Sequence, residues 1–259
     1  MKTAIKLVLI YLGIQILSAL AVSPFCMLYA YFEYGNIEEA TKLSVVPAMF
    51  TGFILMGWYL WKQGYLTGDK QMYSPVSVSY LGMSLVLGIS TIFLIDFVMS
   101  QLTFLPDWMK ETFDLVQSGW FGILCVAIIG PVLEELLFRG AITKVLLQRY
   151  SPMKAILFSG LIFGIFHLNP AQIVGATLSG FLFAWMYYKT SSVIPGILVH
   201  VLNNSISVYL DLHYHNIDTT AELLGEPIYL ICLVSSVLLF IGLFMVMNRY
   251  KYSKETTAI

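Results

Sequence analysis

Apolar positions along this chain neither alternate with polar ones nor recur as a narrow helical stripe. They fill long blocks parted by short polar stretches. The blocks run over 5–32, 43–61, 76–99, 118–138, 155–168, 171–188, 193–210 and 228–247. All but one reach the ~17 residues that a helix needs to cross a bilayer. The pattern predicts an all-α polytopic membrane bundle of about eight transmembrane helices. The block at 155–168 is short, and at ~1.5 Å per residue it suits a helix held inside a bundle. No internal repeat and no Gly/Ser- or Pro-rich linker divides the chain, so residues 1–259 are read as a single integral-membrane domain.

Composition strengthens this picture. Apolar residues make up 58% of the 259 positions and charged residues only 11%, with a mean hydropathy of +0.80. Soluble domains carry about 25% charge, so no soluble domain is left to find. A net charge of −1 with no basic patch gives no footing for nucleic acid. Cys26, Cys125 and Cys232 lie far apart in apolar segments, which indicates neither a zinc site nor a disulfide framework.

Charge then sets an expected orientation. Lys2, Lys6, Lys62, Lys70, Lys144, Arg149, Lys154, Lys189, Arg249, Lys251 and Lys254 fall at the termini and in alternate loops, against Lys42 and Lys110 on the other side. The acidic loops "EYGNIEEATK", "PDWMKETFD" and "DLHYHNIDTTAELLGE" lie opposite the basic ones. The positive-inside rule places both termini in the cytoplasm. The first 24 residues, "MKTAIKLVLIYLGIQILSALAVSP", have the build of a signal peptide, but the apolar run continues through "FCMLYAYF". That is too long for a typical h-region, and a retained first helix is expected.

Against this background a few polar groups stand out inside the blocks. "PVLEELLFRG" brings Glu134, Glu135 and Arg139 into the fourth, where each ionised group costs at least ~2.5 kcal/mol at mid-membrane. "FGIFHLNP" closes the fifth with His167, and "HVLNN" gives the seventh His200, Asn203 and Asn204. Glu135 and Arg139 are one turn apart and can neutralise each other. Glu134, rotated ~100° away, has no such local partner. His200 and Asn204 share a face, and Phe163 lies one turn before His167, placed to wall the same cavity. Taken singly, an ion pair serves as a brace, and a membrane histidine or asparagine as a helix-to-helix hydrogen bond. Taken together, three costly placements are more simply explained by one shared site.

The residue types suggest chemistry. A carboxylate and a neutral imidazole near a common water can deprotonate it. An imidazole N–H beside an amide NH₂ suits a developing oxyanion. Ser205 lies off the His200–Asn204 face, so an activated water is favoured over an acyl-enzyme. "HYH" at 213–215 and Asp96 in "FLIDFVM" are read blandly, as a solvated loop and as an exposed carboxylate near a helix end. Gly160 with Gly164 and Ala176 with Gly180 are small-residue pairs that let helices approach.

In order, "EELLFR", "FGIFH" and "HVLNN" fit the signatures EExxxR, FxxxH and HxxxN, and the chain resembles the CPBP family of intramembrane proteases. That family includes the CAAX prenyl endopeptidase known as the Ras-converting enzyme and many bacterial Abi-type proteins. The resemblance covers roughly 118–210, a catalytic-core segment of the Abi/CAAX-protease type. It implies that Glu134 activates water with help from His167, that His200 and Asn204 stabilise the oxyanion, and that Glu135 and Arg139 brace the site. Asn203 falls outside the motif and is left structural. The resemblance also implies a membrane-associated protein or peptide substrate, prenylated in eukaryotic relatives and more varied in bacterial ones. The family has been described both as glutamate-type proteases that need no metal and as metal-dependent enzymes. No HExxH pair is present, yet Glu134, His167 and His200 are the set that would hold zinc if one were bound. The competing function is a proton-coupled transporter with Glu134, His167 and His200 as a relay, disfavoured by the lack of an inverted repeat.

Overall fold

The structure is a computed structural model describing residues 1–68, 70–214, 217 and 219–250. His215 of the "HYH" motif and the C-terminal Lys251 and Lys254 lie outside these residues. Each apolar block forms a helix. They are α1 (Lys2–Tyr34), α2 (Ala40–Lys62), α3 (Val78–Ser100), α5 (Trp120–Leu147), α6 (Pro152–Phe166), α7 (Pro170–Thr190), α8 (Ile194–His213) and α10 (Glu226–Asn248). Two shorter helices are α4 (Lys110–Gln117), within a stretch read from sequence as a loop, and α9 (Thr220–Leu224). No strand occurs among the described residues. Among the described residues five helices are long and apolar enough to cross a membrane: α1, α2, α3, α5 and α10.

Local sequence explains where the helices begin and end. Proline occupies the first turn of α6, α7, α8 and α10, where its missing N–H costs nothing and its fixed φ is already helical. The first helix stops at Gly35, whose φ of 73° needs no Cβ and whose N–H returns to the Tyr31 carbonyl.

The bundle is layered around α5, against which α1, α2, α6, α7 and α8 all pack. Half of the apolar window of α5 is buried, against 17% for α1 and 11% for α10, which turn most of their surface outward. The first helix is part of this packing: Gln15 lies so close to Gly52 of α2 that a Cβ there would collide with the Gln15 side-chain amide. The small-residue pairs also act as expected. A Cβ on Gly180 of α7 would come within 2.9 Å of the Gly160 Cα of α6, and one on Gly164 would meet the Thr177 side chain.

Two expectations need correction. The fourth block runs on past 138 to Leu147, because Arg139 is neutralised inside the protein and does not end the helix. Asp96 is not a free exposed carboxylate. It is half-buried and accepts hydrogen bonds from Thr220 Oγ1 (2.6 Å) and Tyr229 Oη (2.8 Å), tying α3 to α9 and α10.

Candidate active site

The central helix is not a regular α-helix. Residues Cys125–Ile129 and Leu136–Thr143 are wound as π-helix, on either side of the α-helical Gly130–Glu135. Such segments leave backbone groups for other partners and re-aim side chains. Here the cause can be read residue by residue. The Gly130 N–H bonds the Cys125 carbonyl, so the next carbonyl, that of Val126, falls to Pro131, which has no N–H to give. Asn204 of α8 takes that vacancy, its Nδ2 donating to Val126 O at 3.0 Å. "PVLEE" thus docks α8 onto α5 while presenting its two glutamates.

Those glutamates enter different surroundings. Glu135 is fully buried, and its Oε1 accepts from Arg139 Nη1 at 2.8 Å and from His200 Nδ1 at 3.0 Å. Arg139, also fully buried, donates from Nη2 to the Gly180 carbonyl at 3.3 Å. Its guanidinium lies 4.3 Å from the Phe163 ring centroid and 5.0 Å from that of Phe183. Cation–π contact of this kind is strongest where water is excluded. Glu134 instead keeps 18% of its side chain exposed and lines a cavity of ≈ 670 Å³.

The same cavity is lined by His167, His200, Asn203, Asn204 and Phe163. Three helices therefore bring the three polar clusters to one space, with Glu135 and Arg139 behind its wall. Ser205 does not line it. The histidines are held differently. His200 stacks on Phe183 at 5.1 Å and 28°. With its Nδ1–H given to Glu135, its Nε2 lies 3.8 Å from Glu134 Oε2. That is too far for a direct hydrogen bond but close enough for one small group to touch both. His167 gives its Nδ1–H to the Phe163 carbonyl at 2.9 Å, which leaves Nε2 for other partners.

Sequence reasoning missed several contributors. The Glu135–Arg139 pair was foreseen, but its third member, His200, comes from α8 and is invisible to helical spacing. Asn203 lines the cavity and donates to Asn204 Oδ1 at 3.2 Å, which helps fix the amide. Tyr11 and Gln15 of α1 line the cavity as well, Tyr11 stacking on Phe166 at 5.0 Å. Both lay in a block read only as apolar. Glu134, His167 and His200, the set that would hold zinc, do not come together as a ligand cluster: among the described residues no three His, Cys, Asp or Glu side chains converge on a common point.

Comparison with known proteins agrees with the motifs. Residues 116–206 match the family described as Type II CAAX prenyl endopeptidase Rce1-like. Over 99 residues the chain is 33% identical to YdiL of Bacillus subtilis (strain 168), a protein whose designation as a membrane peptidase is itself provisional. The match covers 38% of this chain and 41% of that relative. No solved structure matches the chain.

Proposed function

Because residues 116–206 belong to the CPBP family, we propose that this chain is an intramembrane endopeptidase that hydrolyses peptide bonds with a water activated by Glu134. The observation that carries the reading is the separation of the glutamate pair: Glu135 is bound to Arg139 and His200, while Glu134 stands at the cavity, 3.8 Å from His200 Nε2.

In this mechanism Glu134 takes a proton from water, which His167 Nε2 helps orient. The resulting hydroxide attacks the scissile carbonyl carbon. Asn204 spends one amide hydrogen on Val126 and has a second for the oxyanion. His200 can donate from Nε2 only when both ring nitrogens are protonated, since Nδ1–H is held by Glu135. Collapse of the tetrahedral intermediate breaks the C–N bond, and protonated Glu134 returns its proton to the leaving amine. Donors fixed before the charge develops are worth more in such a site than in water. This is the glutamate-type form of the chemistry, and the residues above suffice for it.

The substrates are proposed to be membrane-associated proteins or peptides, with prenylated chains as one class to test. Both termini are proposed to face the cytoplasm, on the loop charges given above. The test compares membrane and secreted peptide termini from cells expressing wild type or Glu134→Gln at matched levels. New termini with wild type only are expected. Identical termini from both, with the two proteins equally folded, would contradict proteolysis and leave transport or binding to account for the site. Repeating the cleavage with a chelator addresses the metal-dependent form.

A further inference from the structure

His167 sits at the last turn of α6, where the chain leaves one helix and begins the next within three residues. Such a position frays unless something fixes it. Three observations show what does. Leu168, the next residue, has φ of +54°, a left-handed conformation that a bulky side chain adopts only when its surroundings impose it. Asn169 is completely buried and stands at the N-cap of α7, yet its side chain makes no cap. It forgoes the bond that favours asparagine at this position. Its amide instead crosses to the segment before α4: Nδ2 donates to Asp107 Oδ1 at 2.9 Å, and Oδ1 accepts from the Trp108 N–H at 3.0 Å. A backbone bond from Ala171 N to Pro106 O, 3.3 Å, closes the clamp. Asp107 is itself oriented by the Met109 N–H at 2.9 Å.

We propose that Asn169 and Asp107 are positioning residues for His167: their clamp holds the strained helix break so that the imidazole keeps Nδ1 on Phe163 and Nε2 toward the cavity. The role rests on the proteolytic reading for its kinetic consequence, but the placement of the ring can be tested apart from activity. Asp107 lines the cavity and Asn169 does not; the clamp acts through the backbone that follows His167.

The exchange of the two side chains gives a test that preserves size. Asn169→Asp sets two carboxylates against each other and opens the clamp. Asp107→Asn alone still offers an acceptor to Asn169. In the double variant the new amide at position 107 donates to the new carboxylate at position 169, and the bond is restored with reversed polarity. Full-length proteins in lipid vesicles are assayed on a fluorogenic peptide spanning a site found in the comparison of termini. For Asn169→Asp we expect kcat to fall ~10- to 100-fold, the scale of a small misplacement, with KM unchanged. The double variant should return to within about twofold of wild type, as expected when a coupled pair is restored. In parallel, diethylpyrocarbonate modification is read by mass, with His213 as internal reference. His167 should be singly modified in wild type and doubly modified in Asn169→Asp, because release from Phe163 frees the second nitrogen. Wild-type kinetics and wild-type modification in Asn169→Asp would overturn the clamp, as would a loss that the double variant fails to restore. If wild type itself does not cleave, the proteolytic reading fails, and the modification pattern still decides whether the clamp holds His167.

Discussion

Glu134 and Glu135 are joined by one peptide bond and occupy different media. On one side of α5, Glu135 and Arg139 are sealed behind the cavity wall with the Gly180 carbonyl and two phenylalanine rings, and His200 reaches Glu135 from that wall through Nδ1. On the other, Glu134 meets a cavity of ≈ 670 Å³ together with His167 and Asn204. The difference teaches that charge in a membrane helix has two separate uses. A charge held by several buried partners can support structure, because the cost of burial is shared among them, even though Glu135 Oε2 and Arg139 Nε find no hydrogen-bond partner among the described residues. A charge that faces a cavity is unsuited to support, and its retention points to chemistry. Side chains on the sealed face should therefore answer to stability measurements, and those on the cavity face to turnover.

The largest effect should come from opening the sealed side. Arg139→Leu leaves Glu135 buried with one partner fewer, and a loss of ~3–5 kcal/mol is expected for a broken buried pair. The check is thermal unfolding in detergent together with cellular abundance. A stable Arg139→Leu protein would erase the distinction between the two faces. On the cavity side, Asn204→Leu should lower cleavage ~10²- to 10³-fold, the usual result of removing an oxyanion donor. The variant also loses the bond to Val126, so its melting point should fall by far less than that of Arg139→Leu. Gly196 offers a finer probe of the sealed face, since a Cβ there would meet Glu135 Oε2 at 2.5 Å. Overpacking of this kind costs ~1–3 kcal/mol, and Gly196→Ala should show it as reduced thermal stability. The smallest effect is expected at Ser159→Ala. It removes the 2.6 Å bond between Ser159 and Thr143 that ties α6 to α5, away from the cavity. About 1 kcal/mol of stability should go, with turnover unchanged.

The fold was largely legible because lipid imposes a simple rule. Long apolar blocks must become helices that satisfy their own backbone, and the prolines at 152, 170, 195 and 227 mark four of the starts. Legibility failed where tertiary structure overrides that rule. The apolar block was bounded at 138, yet its helix continues through Arg139 to Leu147, because partners from other helices absorb the arginine's charge. The π segments have no signature in an apolar pattern, although Pro131 hints at one. The divergence of Glu134 from Glu135 follows from the ~100° step of a helix and was readable. The bond from His200 to Glu135 spans 65 positions in sequence and was not. Asn169 passed unnoticed because an asparagine before a proline reads as an ordinary helix cap.

The most direct test is a parallel measurement on Glu134→Gln and Glu135→Gln in the full-length protein, recording thermal stability and peptide cleavage for each. Water activation by Glu134 predicts that Glu134→Gln keeps its melting point and loses cleavage ~10²- to 10⁴-fold, while Glu135→Gln unfolds at lower temperature. Cleavage that survives Glu134→Gln, or equal loss of stability in both variants, would contradict the division of labour between the two carboxylates.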